Sequence, residues 1–460
     1  MDNKRASTLV RGDVKGTLFR MAFPMLAGTF AMNAYNLTDA YFVSRLGTYP
    51  LAAMSFTFPV VMFLTFVAGG IGTGGTALVS HAMGRQDRAD AVKLVTHGMA
   101  LAVATAVVLS IAGYFSIDWL FRRLGADETT LPLVDAFMRI WYLGALTMAL
   151  PMMGNGILIS AGDSAGASRF MILGTVLNAL LNPIMIFGYF GFPAMGIRGS
   201  ALATVVAQLF STAWLLYLLR GRHHLLAFRR WRFGEYLESF RRILAFAIPS
   251  ILSMTLMPIS AGVITRILSG FGNEAVAASG AAIRLESFAF VIPMALGISL
   301  TPFVSQNFGA ERLDRIREAR SIATRFALLY CAVVAVVFFV CAPWFASFFS
   351  DDPKVTGVII AYIRIVSFGY GMMETHRYSG FVLTGLQRPV STTLLNALRV
   401  VVVLIPLSWL GGRFLGVRGI FFGRLATDLI VGSIGLAWVT RTFDSIPAAG
   451  RPGKGGEDDG

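Results

Sequence analysis

Long apolar runs, each closed by a short polar or Gly/Pro-marked break, follow one another along the whole chain. Each has roughly 20 or more residues, enough for a helix to cross a ~30 Å hydrocarbon core at about 1.5 Å per residue. The breaks predict helices at about 18–43, 51–80, 92–114, 133–159, 167–190 and 196–219. After a basic stretch the pattern resumes at about 242–268, 276–305, 322–347, 357–384, 391–411 and 417–440. The expected fold class is an all-α polytopic membrane protein, twelve transmembrane helices in two pseudo-symmetric six-helix lobes. Residues 1–17 are an N-terminal segment, 18–220 the N-lobe, 221–241 a linker and 242–440 the C-lobe. Residues 441–460, Pro/Gly-rich and ending in Glu457, Asp458 and Asp459, read as a solvated tail.

Composition strengthens this picture. Of 460 residues, 55% are hydrophobic and 14% charged, too little polar surface to cover a water-soluble globule, so lipid is the main solvent. The formal charge of +14 does not point to nucleic acid, because the basic residues lie in short loops between apolar spans. They cluster in the N-terminal segment, at Arg85, Arg88 and Lys93, over 220–242, and at Arg312, Arg315, Arg317 and Arg320, all on one side. The positive-inside bias makes that side cytoplasmic, so a multi-pass protein of the bacterial inner membrane with both termini in the cytoplasm is expected. The first twenty residues lack an apolar core with a cleavage site, so helix 1 is expected to do the targeting itself. Cys331 and Cys341 lie on one span about 15 Å apart along a helix, beyond disulfide reach.

The two halves repeat. A shift of 225 positions superposes Pro24 on Pro249, Gly47 on Gly272, Ser80 on Ser305 and Gly84 on Gly309; a shift of 220 superposes Gly196-Ile197-Arg198-Gly199 on Gly416-Val417-Arg418-Gly419. Six helices return the chain to the side it started from, so the copies run parallel, related by an axis along the membrane normal. Such paired lobes hold a substrate cavity that opens alternately to either side as they rock.

Specific motifs then narrow the choice: AFP at Pro24, LTDAYFVSRLG at 37–47, ISAGDSAGAS at 159–168, LNPIMIFG at 181–188, GIRGSALAT at 196–204 and RLESFAFVIPMALGISLTPFVSQNFGA at 284–310. Over nearly the whole chain these resemble the multidrug and toxic compound extrusion family, and within it the DinF-like branch. The resemblance implies a twelve-helix antiporter that exports amphipathic organic, often cationic compounds or drugs in exchange for protons or sodium ions; a monomer that is not an enzyme is expected.

Charged groups at membrane depth cost a few kcal/mol or more, about 3 on insertion scales, so each acid inside a span is a functional candidate. On helix 1, Tyr35, Asn36 and Asp39 form a polar stripe on an apolar rod that should face a cavity. Removed from water, Asp39 becomes a candidate for binding and releasing a proton, tuned by Tyr35 or Asn36; in the outer interface it would simply be hydrated. Thr175, Asn178 and Asn182 share one face of helix 5 beside Pro183, as partners for Asp39 or as inter-helix hydrogen-bonding glue. The resemblance matches Asn178 and Thr204 to polar residues of the branch, which commonly carries Asp where this chain has Asn182, and the missing carboxylate bears on proton stoichiometry.

The C-lobe offers Glu286 and Glu374. Glu374 has Arg377 three residues on, an intrahelical pair that forms easily, and Arg424 with Asp428 reads as another structural pair, which leaves Glu286 as the better C-lobe coupling candidate. The sodium-coupled NorM-like branch carries Glu where this chain has Met257, which argues against sodium. Gly69, Gly70, Gly72, Gly74 and Gly75 lack the Lys and strand of a phosphate loop and read as close helix contact. His223 and His224 sit in a basic loop and are expected to be solvated; no metal site and no cofactor are expected. An intramembrane enzyme would need nucleophile, base or metal ligands clustered at one depth, and the sequence offers none. The competing reading is a flippase of lipid-linked glycan precursors, which would use a strongly basic cavity to hold pyrophosphate.

Overall fold

The computed structural model describes residues 9–227 and 231–446. All regular structure among them is helical. In the N-lobe, α1 is Val14–Ser44, α2 Thr48–Gly84, α3 Arg88–Arg123, α4 Leu131–Ser160, α5 Ser164–Phe187 and α6 Ile197–Arg222. In the C-lobe, α7 is Phe233–Ser269, and α8 is Asn273–Ala289 followed by Val291–Gly309, bent by 57° at the break. Then come α9 at Leu313–Ser347 and α10 at Pro353–Gly385. The stretch Pro389–Asp444 holds α11 and α12, which meet without a loop at Gly416, where φ is +63°.

Several helices outrun the sequence expectation. α2 and α7 each have 37 residues, about 55 Å, because their charged or polar ends continue the helix into water after the apolar run has stopped. α7 begins at Phe233, within the segment expected to be a linker, and α12 continues to Asp444, within the expected tail. The rest of that tail, from 447, lies outside the described residues.

The repeated glycines have a backbone cause. Gly47 and Gly272 precede α2 and α8 with φ of +114° and +105°, and Gly196 and Gly416 precede α6 and α12 with φ of +55° and +63°. A Cβ is strained in that region, so each lobe needs glycine at the same two turns.

The end carrying the α2–α3, α4–α5, α6–α7 and α8–α9 connections is the basic end. Here the lobes close on each other: α2 packs on α7 and on the second segment of α8, which also packs on α1. The glycine run of α2 makes this possible. A Cβ on Gly70 would lie 2.8 Å from the Ala247 carbonyl, one on Gly74 2.8 Å from that of Ile243, and one on Gly84 2.0 Å from that of Gln306. Gly309, the repeat mate of Gly84, abuts the His81 carbonyl in the same way, at 2.2 Å. Ser305 donates to Ala77 O at 3.0 Å, Arg242 forks onto Asp90 at 2.9 and 3.0 Å, and Lys93 meets Glu238 at 2.9 Å. Beyond the α8 bend the chain parts from the N-lobe: the first segment of α8 packs on α7 and α10. A cleft thus opens between the lobes toward the distal end.

Candidate functional site

Asp39 lies on α1, 7% exposed, under a cage supplied by α5 and α6. Spacing builds the cage: Asn178 and Asn182 are one turn apart on α5, as are Ser200 and Thr204 on α6, so each helix turns two polar groups toward the carboxylate. Asn182 Nδ2 donates to Asp39 Oδ1 at 2.8 Å and to Asn178 Oδ1 at 3.1 Å. Thr204 Oγ1 meets Asp39 Oδ2 at 3.5 Å, and Asn178 Nδ2 donates to Thr204 Oγ1 at 3.3 Å. Both Asn side chains are fully buried.

Other expected members fall outside the cage or stand apart in it. Thr175 lies one turn along α5 but uses its hydroxyl on the carbonyls of Ala31 and Met171, both at 3.1 Å, so it fastens α5 to α1 and does not reach Asp39. The Tyr35 hydroxyl is buried near Asp39 without a hydrogen-bond partner among the described residues, and the Asn36 side chain lies outside them. Asn182 Oδ1 and Ser200 Oγ are likewise buried and unpaired. Among the described residues, all groups around Asp39 are thus neutral amides and hydroxyls. A carboxylate so placed has no counter-charge, and a proton or a small cation met by oxygen ligands is what the arrangement can take up.

The C-lobe acids sit differently. Glu286 is clamped by Arg424, and Tyr362 donates to its Oε2 at 2.6 Å, with Arg424 also on the Tyr362 hydroxyl. The expected Arg424–Asp428 pair is therefore replaced: Asp428 is held instead by Arg399 at 2.8 Å. Spacing along α12 permitted the first pairing, but helix packing puts Glu286 of α8 against Arg424 and Arg399 of α11 against Asp428, partners that no single-helix pattern displays. Arg377 stands 2.9 Å from Glu374, as its i,i+3 spacing suggests. The approach is too oblique for a hydrogen bond, so both Glu374 oxygens stay unsatisfied in a fully buried side chain.

His223 is a further correction. It is buried, with Nε2 3.0 Å from Asp163 Oδ2, because a π-helical turn at the end of α6 folds it back over the α4–α5 connection. Asp163 also caps α5 through Gly166 N at 2.9 Å. The His223 bond, with the Gly166 N–H and Arg222, holds the Asp163 carboxyl down at about 2.

The family model for MatE matches this chain twice, over residues 24–184 and 249–410, each copy opening on one of the paired prolines. The chain belongs to the MatE family. MatE proteins are membrane transporters, not enzymes. The chain is 32% identical to a protein named FAD transporter from Shewanella oneidensis, over 92% of this chain and 94% of that one. It is 24% identical to the multidrug export protein MepA of Staphylococcus saprophyticus, over 90% of each. The Vibrio cholerae MATE transporter VcmN in its bent form superposes with a TM-score of 0.89 at 27% identity, covering 96% of this chain and 98% of that one. That likeness fixes the MatE architecture of twelve transmembrane helices, including α1, which is less apolar than the other spans. As a MatE protein the chain is a multi-pass transporter of small molecules. Sequence reasoning missed Ser200, Tyr362 and Arg399 in these clusters. A polar residue one turn before Thr204 was the signal for the first; for the other two only a polar residue inside an apolar span could have pointed the way.

Proposed function

We propose that this protein is a secondary active exporter of amphipathic organic molecules, driven by a proton or sodium ion that binds at Asp39. The observation that carries this reading is the neutral cage: a buried carboxylate held by Asn182 and Thr204 with no cationic partner among the described residues. With the basic end in the cytoplasm, as the positive-inside bias directs, the cleft faces outward and the coupling ion reaches Asp39 from outside. Ion binding then compensates the buried charge, and lobe rocking exposes the cleft to the other side. Glu286 is a weaker coupling candidate, since a proton there must displace Arg424. The glycan-flippase alternative needs a strongly basic cavity, whereas Arg377, Arg399 and Arg424 each face a carboxylate.

For cargo, the relatives offer two chemistries, drugs and a flavin dinucleotide. The second is favoured by Arg284, which pairs with no carboxylate among the described residues. The test is transport in reconstituted vesicles under an imposed proton or sodium gradient, with ethidium and FAD as cargoes. Asp39→Asn keeps the shape of the cage and removes the titrating group, so gradient-driven transport should fall at least tenfold. Unchanged pumping by that variant would refute the role of Asp39.

A further inference from the structure

Arg284 lies on the first segment of α8, 16 Å or so along the helix from its distal start at Asn273, taking about 1.5 Å per residue. It is exposed, and no carboxylate pairs with it among the described residues, in contrast to Arg377, Arg399 and Arg424. Glu286, two residues on, points to the opposite side of the helix and is taken by Arg424. An exposed guanidinium at that depth is too costly against lipid and must face water.

The helix geometry says which water. Glu286 turns one face of this segment onto Tyr362 of α10 and Arg424 of α12, so Arg284, on the opposite face, looks away from the C-lobe interior. The segment has also parted from the N-lobe, so the water that its free face meets is that of the cleft. Across it, Phe63 lies two turns of α2 before Gly70, a residue packed on α7, and is 49% exposed. Phe288, one turn beyond Arg284 on its own helix, is 57% exposed.

We propose that Arg284 is the anion receptor of the cleft, and that the cargo is a planar aromatic compound bearing a phosphate, with the phosphate on Arg284 and the ring against Phe63 and Phe288. The proposal rests on the export reading above and names the substrate class of that same cleft. An uncompensated positive charge repels the organic cations expected from the sequence and selects anions, while a guanidinium offers paired N–H donors that fit phosphate oxygens. The apolar aromatic walls supply stacking area without reading the identity of the ring.

Riboflavin, FMN and FAD share one ring and differ in phosphate, so quenching of flavin fluorescence by the purified protein isolates the anion. The expected result is that FMN and FAD bind at least tenfold more tightly than riboflavin. Arg284→Gln should erase the preference while leaving riboflavin binding and the melting temperature in place, and Arg284→Lys should restore part of it. Ethidium binding more tightly than FMN, or an FMN preference that survives Arg284→Gln, overturns the proposal. So does an Arg284-dependent binding of phosphatidylglycerol in nanodiscs without preference for FMN over riboflavin, which would make the phosphate a lipid headgroup. Binding separates this from the export reading: FMN preference through Arg284 without gradient-driven flux would sink export and leave the receptor standing.

Discussion

Removing the charge of Glu286 discriminates a coupling acid from a structural one. In Glu286→Gln the Arg424 guanidinium, only a fifth exposed at its side chain, loses its carboxylate and keeps the Tyr362 oxygen. Breaking a buried ion pair from one side costs about 3–5 kcal/mol, because the partner stays charged. Two features place this site near the lower end. Tyr362 still accepts from Arg424, and Asp428, one turn further along α12, has a buried oxygen without a partner to which the guanidinium can turn. A loss of about 3 kcal/mol is therefore expected, read as a clear drop in the melting temperature of the detergent-purified protein followed by tryptophan fluorescence. Glu286→Gln combined with Arg424→Met removes the stranded charge and should recover most of that loss, since apolar replacement of a buried pair is often neutral. Transport assayed below the melting transition should retain its coupling in the double variant. A Glu286→Gln protein as stable as the parent but with uncoupled transport would refute this reasoning and return Glu286 to the role its sequence position first suggested.

Two further outcomes follow from the same geometry. Gly84→Val places a side chain where even a Cβ comes within 2.0 Å of the Gln306 carbonyl, so the lobes must separate at the basic end; single cysteines introduced there should become reactive to a membrane-impermeant thiol reagent added on that side of the membrane, and unchanged labelling would refute the closed end. Asp163→Asn retains the cap on α5 but loses the charge facing His223 and Arg222. The Asp163 carboxyl is held at about 2, below its ordinary value, so its contribution is present above pH 4 or so and disappears as the pH falls through 2. The variant should be less stable at pH 7 by about 2 kcal/mol, converging with the parent in acid; a gap independent of pH would exclude this mechanism.

Most of the fold was legible because lipid imposes it: only a long apolar run can bury its backbone as a helix, and basic loops mark one side. The repeat was legible because Gly47, Gly272, Gly196 and Gly416 occupy a backbone region that excludes other residues. The bend at Phe290 was not, since an apolar run carries no sign of where its axis turns. Within the site, periodicity along α5 brought Asn178 and Asn182 to one face but could not tell that Thr175, on the same face, reaches a backbone carbonyl of α1. Partners within one helix, such as Glu374 and Arg377, follow from spacing. Those across helices, such as Glu286 with Arg424 or His223 with Asp163, depend on which helices pack together, and similar i,i+4 spacings made Arg424 and Asp428 a plausible but wrong pair.

Two lobes with one backbone plan have diverged in how they handle charge, and the proposed coupling rests on that difference. In the C-lobe, Glu286, Glu374 and Asp428 each stand against an arginine, so protonating any of them must first release a cation into a buried setting. In the N-lobe, Asp39 faces only amides and hydroxyls among the described residues, and a proton or sodium ion arriving there would remove an uncompensated charge without creating another. Arg284 of the C-lobe, with no carboxylate partner among the described residues, is the complement: it lacks an anion where Asp39 lacks a cation. An ion gradient acting on the first and a phosphorylated cargo occupying the second would each bias the lobes through its own unmet charge. Exchange then needs no shared ligand, only that the two lobes move as rigid bodies about the glycine-lined contact of α2 with α7 and α8.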